Sequence, residues 1–452
     1  MLYYIIIFFL KNCLNIKVVD MIMSFSVANF RSIGNEQKLS FVSDNAKEHI
    51  DNTYPVTDNS KIRLLRSCAI YGANGSGKSN LLKALNTMRI IVTSSSNGDA
   101  LPVIPFVLDR AKCLEPSIFE INMCISGDRY QYGFSCTKEK IINEWLYVYP
   151  HVTGKRRTLY ERLYNDETKN YDWNLTNNLK GQKAVWRDLT RDDAIYLKTA
   201  VLFNCQSLKP LYDFFNKDLC IILNVDSMSI QLADDHNLKY EKEVIRLLKA
   251  TDFNISALKV EKVELDYLTK KLTHAYSISS LKGENSQVYE PVLVKTVHTG
   301  TDGELIGFDL NKDETNGTVR LIKLAQFLID ALKKGKVLVV DDLNIGFHPF
   351  LTKFLIEQFH RLSTNPNNAQ LLFTTHESTI MSQDLFRRDE IWFTKLNSNQ
   401  MTEVYPLTDF KPLKGSSNER LDVKYLNGKY GALPYVDLSL IENVLNDRLD
   451  DN

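Results

Sequence analysis

No two of the seven cysteines in this chain are spaced C-x-x-C. That excludes the common zinc and redox spacings and leaves no disulfide framework. Most of them sit in apolar or strand-like runs, as buried free thiols do, which points to a reducing cytosol. Net charge is missing as well, since 55 basic side chains balance 55 acidic ones. Nothing global therefore favours a polyanion-binding surface. No apolar run is long enough to cross a bilayer. LYYIIIFFL at 2–10 falls far short of the roughly 20 residues a spanning helix needs. Lys11 and Lys17 follow that run rather than precede it, unlike a signal peptide. Residues 1–20 therefore read as an extension ahead of a working start near Met21 or Met23. Sustained heptads, internal repeats and low-complexity tracts are absent too, which argues against a long coiled coil. What remains is ordinary globular composition, 44% hydrophobic and 24% charged, over 452 residues. That length suits two or three domains, or one large domain with an insertion.

Against this background, residues 72–79 stand out as GANGSGKS. They fit the P-loop pattern G-x-x-x-x-G-K-[ST] through Gly72, Gly77, Lys78 and Ser79. Cys68 to Tyr71 form a short apolar run before it, readable as a buried strand. Leu81, Leu82, Leu85 and Met88 recur at helical spacing after it. Strand, glycine loop and helix bring backbone N–H groups and a helix N-terminus to one anion site. A Cβ at the glycines would hold the backbone away from phosphate. Gly72, Ala73, Asn74, Gly75, Ser76 and Gly77, with Asn80 just beyond, are thus expected to hold nucleotide. Lys78 would reach the β- and γ-phosphates, and the Ser79 hydroxyl would ligate Mg²⁺. ATP and Mg²⁺ are the cofactors this predicts.

Elsewhere the first half is sheet-like. Phe25 and Val27 alternate with serines, and Leu39 and Phe41 with Lys38 and Ser40. Phe119 to Ile125 alternates, Ser126-Gly127-Asp128 turns, and Tyr130 to Cys136 alternates again, which predicts a hairpin. A second hairpin turns near Gly154, with Lys155, Arg156 and Arg157 at its tip. The tip reads as a solvated turn, with nucleic-acid contact as the alternative. Residues 181–285 carry weaker patterns and predict a mostly helical insertion for assembly or partner docking. One helix is expected at Leu211–Phe215 and another at Val244–Leu248. Strand-like runs return at Val292, Val294 and Val297.

A second dense block follows. Leu321, Leu324, Ala325, Leu328 and Leu332 make the apolar stripe of a helix that Gly335 stops. Val337 to Val340 read as a buried strand ending in Asp341-Asp342. A helix follows Pro349, with Leu351, Phe354, Leu355 and Phe359 inward. Leu371 to Thr375 form another buried strand, ending at His376. Strands alternating with helices predict a parallel α/β sheet, whose ligands sit at the carboxyl ends of strands. Asp341, Asp342 and His376 fall at such ends. An acidic pair after a buried strand is what a Walker B element requires. Asp341 would complete the Mg²⁺ shell, and Asp342 would orient or deprotonate the attacking water. His376 would approach the γ-phosphate as a hydrogen-bond donor or sensor.

These motifs resemble the ABC-type ATPase heads of the SMC, Rad50 and OLD group. The likeness is closer to the bacterial AAA15, or RloA-like, abortive-infection ATPases. It is carried by SFSVANFRSIG at 24–34, YGANGSGKSNLLKAL at 71–85, DETNGTVRL at 313–321 and VLVVDDLNIGFHP at 337–349. LLFTTHES at 371–378, RRDEIWF at 387–393, YPLTDFKP at 405–412 and YLNGKYGALPYV at 425–436 extend it. Within that group the chain is most similar to the AriA ATPase subunits of two-gene PARIS anti-phage systems. The resemblance implies an α/β, ABC-type P-loop ATPase head with an antiparallel β-subdomain and a mostly helical insertion. Residues 21–180 and 286–410 would form the two parts of the head, and 411–452 a tail packed on it.

The resemblance also assigns roles. Glu314, Thr315, Asn316, Gly317 and Thr318 occupy the signature position, which in that group caps the γ-phosphate bound to the opposite head. Its physical basis is a helix N-terminus offered in trans. Two nucleotides between two heads imply at least a dimer. A TOPRIM-type, AriB-like nuclease partner and a phage-encoded trigger protein are implied as well. The chain would then be the ATP-hydrolysing sensor that holds a toxic effector inactive. Two departures stand out. Asp342 replaces the Glu of most ABC heads, and the shorter carboxylate predicts slow hydrolysis. The D-loop reads Asn344-Ile345-Gly346-Phe347 where relatives usually have Ser-Leu before His-Pro. No LSGGQ-like sequence occurs, against a transporter ATPase, and the stretch after residue 393 is too short for a TOPRIM domain of its own. The alternative is a DNA-processing ATPase of the Rad50 or RecF kind. Zero net charge and the lack of coiled-coil arms weigh against direct DNA binding.

Overall fold

Alternating and continuous apolar sequence end up in different sheets. The computed structural model describes residues 20–57, 60–94, 98, 100–233, 238–262, 292–411 and 419–434. The chain opens with β1 (Met21–Ala28), β2 (Gln37–Ser40), β3 (Thr53–Pro55) and β4 (Arg63–Leu65). β5 (Ser67–Gly72) runs through the P-loop into α1 (Lys78–Thr93). Next come β6 (Ser117–Ile125), β7 (Asp128–Cys136), β8 (Ile141–Tyr149), β9 (Arg157–Asn165) and β10 (Asn170–Leu175). Short helices α2 (Lys183–Asp188), α3 (Tyr196–Leu202) and α4 (Lys209–Asp213) lead into β11 (Leu219–Ile222). α5 (Glu241–Ala250), β12 (Ala257–Lys262), β13 (Val292–Thr299) and β14 (Leu305–Asp309) follow. The last third holds α6 (Asn316–Lys334), β15 (Val337–Val340), α7 (Pro349–His360), β16 (Gln370–Thr374), β17 (Ile391–Leu396), β18 (Thr402–Pro406) and α8 (Leu421–Leu426).

Six strands form the core sheet in the order β11-β15-β16-β5-β17-β18, parallel except for the β17/β18 pair. Its inner strands are buried on both faces, as VLVV in β15 and QLLFT in β16 show. Continuous apolar runs are what parallel strands under helices require. The register pairs Val340 with Phe373 and Thr374 with Ile70, so the P-loop, Asp341 and Thr374 share one edge. A seven-stranded antiparallel sheet, β10-β9-β8-β7-β6-β1-β2, packs beside the core. Here the alternation of β8 buries Glu144, Leu146 and Val148 on one side.

β1 departs from its pattern. Its serines predict one solvated face, yet every residue from Met21 to Val27 is buried. Phe25 and Val27 enter the main core. Met21 and Met23 pack on the other side with Tyr54 of β3, Leu64 of β4 and Cys124.

The expected insertion is corrected more deeply. Its first part is helical, with α4 passing into a π-turn at Phe214–Asp218. β11 then joins the core sheet beside β15, pairing Leu219 with Val337 and Ile222 with Val340. Residues up to Ile222 thus belong to the head itself. The short run LCII lies at the sheet's edge, with Leu219 and Ile222 buried and Cys220 and Ile221 half-buried. Residues 263–285 of the expected insertion, 1–19 of the expected extension and 435–452 of the tail lie outside the described residues.

The RRDEIWF segment works as a clamp. Arg387 is fully buried and donates to Asp389 at 2.9 and 2.8 Å and to Asp44 at 2.8 Å. Glu390 accepts from Asn52 and Ser67, both at 2.8 Å. The strap between β2 and β3 is thereby held against the start of β17. Among the described residues, no helix is long and apolar enough to cross a membrane.

Candidate nucleotide-binding site

The P-loop has the backbone its glycines foretell. Gly75 and Gly77 take left-handed conformations, at φ of 76° and 105°. A Cβ on Gly77 would come 2.0 Å from Thr402 Oγ1, whereas Gly75 faces open space. Asn74 and Gly75 are exposed, Ala73 is half-buried, and Gly72, Ser76, Gly77 and Lys78 are buried. The loop is braced from residues far off in sequence. Ser76 Oγ and Thr394 Oγ1 lie 2.6 Å apart. Thr402 donates its hydroxyl to the Ser76 carbonyl at 3.0 Å, and its own N–H goes to the Ser32 carbonyl at 2.8 Å. Asn80 donates to Ser32 Oγ at 2.7 Å. The side chains of Ser76 and Asn80 are thus occupied in shaping the loop, and the expected anion contact is one for backbone N–H groups.

Lys78 Nζ donates to the carbonyls of Gly72 and Ala73, each at 2.9 Å. Burial pushes its ammonium down to about 8, and the charges of Asp342 and Asp341 oppose that fall. A bound triphosphate would raise it again, because opposite charge favours the protonated form. Binding would therefore take up a proton above pH of about 8. ATP affinity is expected to be flat from pH 7 to 8 and then to weaken, by up to about tenfold per unit. Calorimetric titration with ATP across pH 7 to 9.5 checks this, and a flat profile contradicts it.

The acidic pair sits at the end of β15. Asp341 N–H donates to the Ile222 carbonyl at 2.9 Å, so β11 anchors the turn. Thr374 bridges the two aspartates. Its hydroxyl donates to Asp341 Oδ1 at 2.6 Å, and its oxygen accepts from Asp342 N at 2.7 Å. Asp342 is left-handed, at φ 50°, a conformation rare outside glycine though tolerated by Asp. Its Oδ1 is buried without a hydrogen-bond partner among the described residues, 3.7 Å from His376 Nε2. Burial, and then the nearby Lys78, hold the His376 ring below its ordinary range, so it is neutral near pH 7. The D-loop departure has a local use. Asn344 Oδ1 accepts from the Thr375 hydroxyl at 2.9 Å and from the His376 N–H at 3.4 Å.

The signature segment opens α6. Thr315 caps the helix, accepting from Thr318 N at 3.2 Å. Gly317 touches the D-loop, where a Cβ would come 2.8 Å from the Gly346 carbonyl. Two of the expected ligands have partners within this chain. Glu314 is turned to β13, accepting from Thr296 at 2.5 Å and lying 2.6 Å from His298 Nε2. Thr318 is buried against Thr315. Thr315 and Asn316 remain exposed. No hydrogen bond joins residues 314–318 to residues 72–80 among the described residues. Arg320, one turn into α6, was not foreseen. It donates to the Asp342 carbonyl at 2.9 Å and to both Asp226 oxygens at 3.2 Å. It thus fixes the backbone that aims Asp342.

These residues fit a magnesium nucleotide. The loop faces open space at Gly75, and a desolvated carboxylate oxygen of Asp342 stands unpaired nearby. The Ser79 hydroxyl and the Asp341 carboxylate would hold the metal, which supplies charge neutralisation when bound. Backbone N–H groups at the start of α1 would hold phosphate.

Core sheet, β-subdomain, P-loop, acidic pair and D-loop together define a P-loop ATPase built as an ABC-type head. The chain belongs to the family described as "AAA domain, putative AbiEii toxin, Type IV TA system", whose profile matches residues 68–382, more than half of its length. Among solved structures it is similar to the SMC head domain from Thermotoga maritima, at 12% identity and TM-score 0.36, covering 85% of this chain and 98% of that one. It is also similar to the Smc head with an extended coiled coil bound to a ScpA domain from Pyrococcus furiosus, at 11% and 0.39, covering 86% and 96%. RecF-ATP, the recombination mediator protein of the RecFOR pathway, is similar at 12% and 0.36, covering 86% and 98%. No curated protein matches the chain.

Proposed function

We propose that the chain is the ATP-binding and ATP-hydrolysing sensor of an anti-phage, abortive-infection complex. In this reading it holds a TOPRIM-type nuclease inactive and releases it when a phage-encoded trigger arrives. Membership of a family described by an abortive-infection toxin supports the setting. The observation that carries the mechanism is the exposed start of α6, where Thr315 and Asn316 stand free of their own P-loop. Such a segment caps a nucleotide held by a second copy, so ATP builds an assembly of at least two heads. Asp342, polarised by its desolvation and neighboured by His376, then orients water for hydrolysis.

Composite sites have a signature in mixing experiments. Lys78→Ala and Gly317→Val are each expected to be inactive alone. In random two-fold dimers half the pairs are hybrids with one intact site of two, so about a quarter of wild-type activity returns. No recovery on mixing, or a protein that stays monomeric with ATP by light scattering, contradicts the assembly.

The effector is tested by purifying the tagged chain from its native host. A co-purifying nuclease whose activity appears only after the complex is disrupted supports the proposal. ATPase activity stimulated by DNA, with no nuclease bound, would support a DNA-processing role instead.

A further inference from the structure

A left-handed backbone at a residue other than glycine persists only where its surroundings hold it. At Asp342, at φ 50°, both flanking peptides are engaged. Its N–H donates to Thr374 Oγ1 at 2.7 Å. Its carbonyl accepts from Ile345 N at 3.2 Å, within the same turn, and from Arg320 Nη2 at 2.9 Å. Arg320 belongs to α6 and is the hold on this carbonyl that comes from another element.

Arg320 is itself held at few points. It is buried, yet its Nε has no hydrogen-bond partner among the described residues. Its stem lies by Gly346 of the D-loop, where a Cβ would come 3.6 Å from the Arg320 Cδ. Its Nη1 donates to both Asp226 oxygens at 3.2 Å. No other carboxylate forms an ion pair with this guanidinium among the described residues. A buried guanidinium that loses its carboxylate is left uncompensated and is driven toward water or another acceptor.

The loop that carries Asp226 is fixed on both sides. Val225 is buried in the core. Asn224 Oδ1 accepts from the Asp226 N–H at 2.9 Å, and the Met228 N–H donates to the Val225 carbonyl at 3.1 Å. Lys323, on the next turn of α6 and also buried, donates to the Asp226 carbonyl at 2.8 Å. Just upstream, the Ile222 carbonyl accepts the Asp341 N–H at 2.9 Å. A circuit therefore closes. Asp341 hangs from β11, β11 leads into Asp226, Asp226 aims Arg320, and Arg320 holds Asp342. Both members of the acidic pair are tied to one loop far from them in sequence.

We propose that Asp226 is a positioning residue for ATP hydrolysis, acting through Arg320 on the backbone of Asp342. Its part is indirect. The carboxylate sets where the guanidinium lies, and the guanidinium sets how the Asp342 peptide faces. The inference rests on Asp342 orienting the attacking water. Because the Asp226 side chain is 70% exposed, the ion pair contributes little to fold stability. Its loss is felt in aim instead, and a misplacement of about 1 Å can cost on the order of a hundredfold in rate.

The test compares Asp226→Ala, Asp226→Asn, Arg320→Ala and the double variant of Asp226→Ala with Arg320→Ala. Single-turnover hydrolysis, calorimetric ATP affinity and melting are measured on each. We expect both Asp226 variants to lower the hydrolysis rate at least about tenfold, with affinity and melting temperature near wild type. Asp226→Glu, which keeps the carboxylate, should recover most of the rate. The double variant should be no slower than Arg320→Ala, since one chain of contacts is cut only once. A crystal structure of nucleotide-free Asp226→Ala should show Arg320 Nη2 moved off the Asp342 carbonyl. An unchanged rate, losses that multiply in the double variant, or a guanidinium still seated on Asp342 in that crystal would each overturn the inference. Asp342→Ala separates the two claims. Wild-type turnover in that variant removes the role of Asp342 itself, whereas slow Asp342→Ala beside normal Asp226→Ala removes only the role of Asp226.

Discussion

Replacing Lys78 by alanine is expected to abolish ATP turnover, lowering kcat/KM by at least about a thousandfold. One preorganised donor aimed at developing charge contributes roughly a hundred- to a thousandfold. Lys78 adds ground-state binding to that, because its ammonium is buried beside the loop rather than solvated. The fold should survive. Its two hydrogen bonds go to carbonyls of its own loop, not to another element. A melting temperature close to wild type with no detectable ATP binding is therefore the expected pair of results. Lys78→Arg should recover little, because a planar guanidinium does not replace the compact ammonium that both the Gly72 and Ala73 carbonyls hold. Turnover within tenfold of wild type in Lys78→Ala would remove the P-loop from the mechanism.

What could be read in advance follows from distance along the chain. Strand, loop and helix at 67–93 are contiguous, and each signals itself through apolar runs, glycines and 3.6-residue periodicity. α6 was legible for the same reason, with Gly335 at φ 72° ending it. β11 was not, because four residues without periodicity look the same in a strand or a helical region. Nor does β1 announce that it is covered, since β3 and β4 are three residues each. The braces of the P-loop are the clearest omission. Thr394 and Thr402 lie 318 and 326 residues from Ser76, and a hydroxyl in a strand carries no sign of its partner. Glu314 has partners that motif spacing does not reveal. Its place beside the signature suggests a ligand, but β13 supplies Thr296 and His298 to occupy it. Motif spacing therefore finds groups gathered at the P-loop and misses those that hold them in place.

Asp342 should set the pace of the enzyme. Its side chain is one methylene shorter than glutamate, and its left-handed backbone directs it toward His376 at 3.7 Å. The Oδ1 atom is desolvated and unpaired among the described residues, so it is a strong acceptor for a water that reaches it. Reach is what it lacks, and about 1 Å of misplacement can cost on the order of a hundredfold. Wild-type turnover is therefore expected well below the roughly 10 s⁻¹ typical of enzymes. Asp342→Glu should raise it about tenfold, the equivalent of about 1.4 kcal/mol in the barrier. Asp342→Ala should bind ATP and keep it, lowering kcat at least about a hundredfold with little change in affinity. Arg320→Ala offers a separate handle, since it frees the Asp342 carbonyl while leaving the carboxylate. It should lower kcat more than it raises KM. Slow hydrolysis suits a complex that must stay assembled until triggered, whereas a motor must cycle. Steady-state assays decide between these. A fast wild type that Asp342→Glu slows would mean that the left-handed backbone already places the shorter carboxylate correctly, and the long-lived ATP state would have to go.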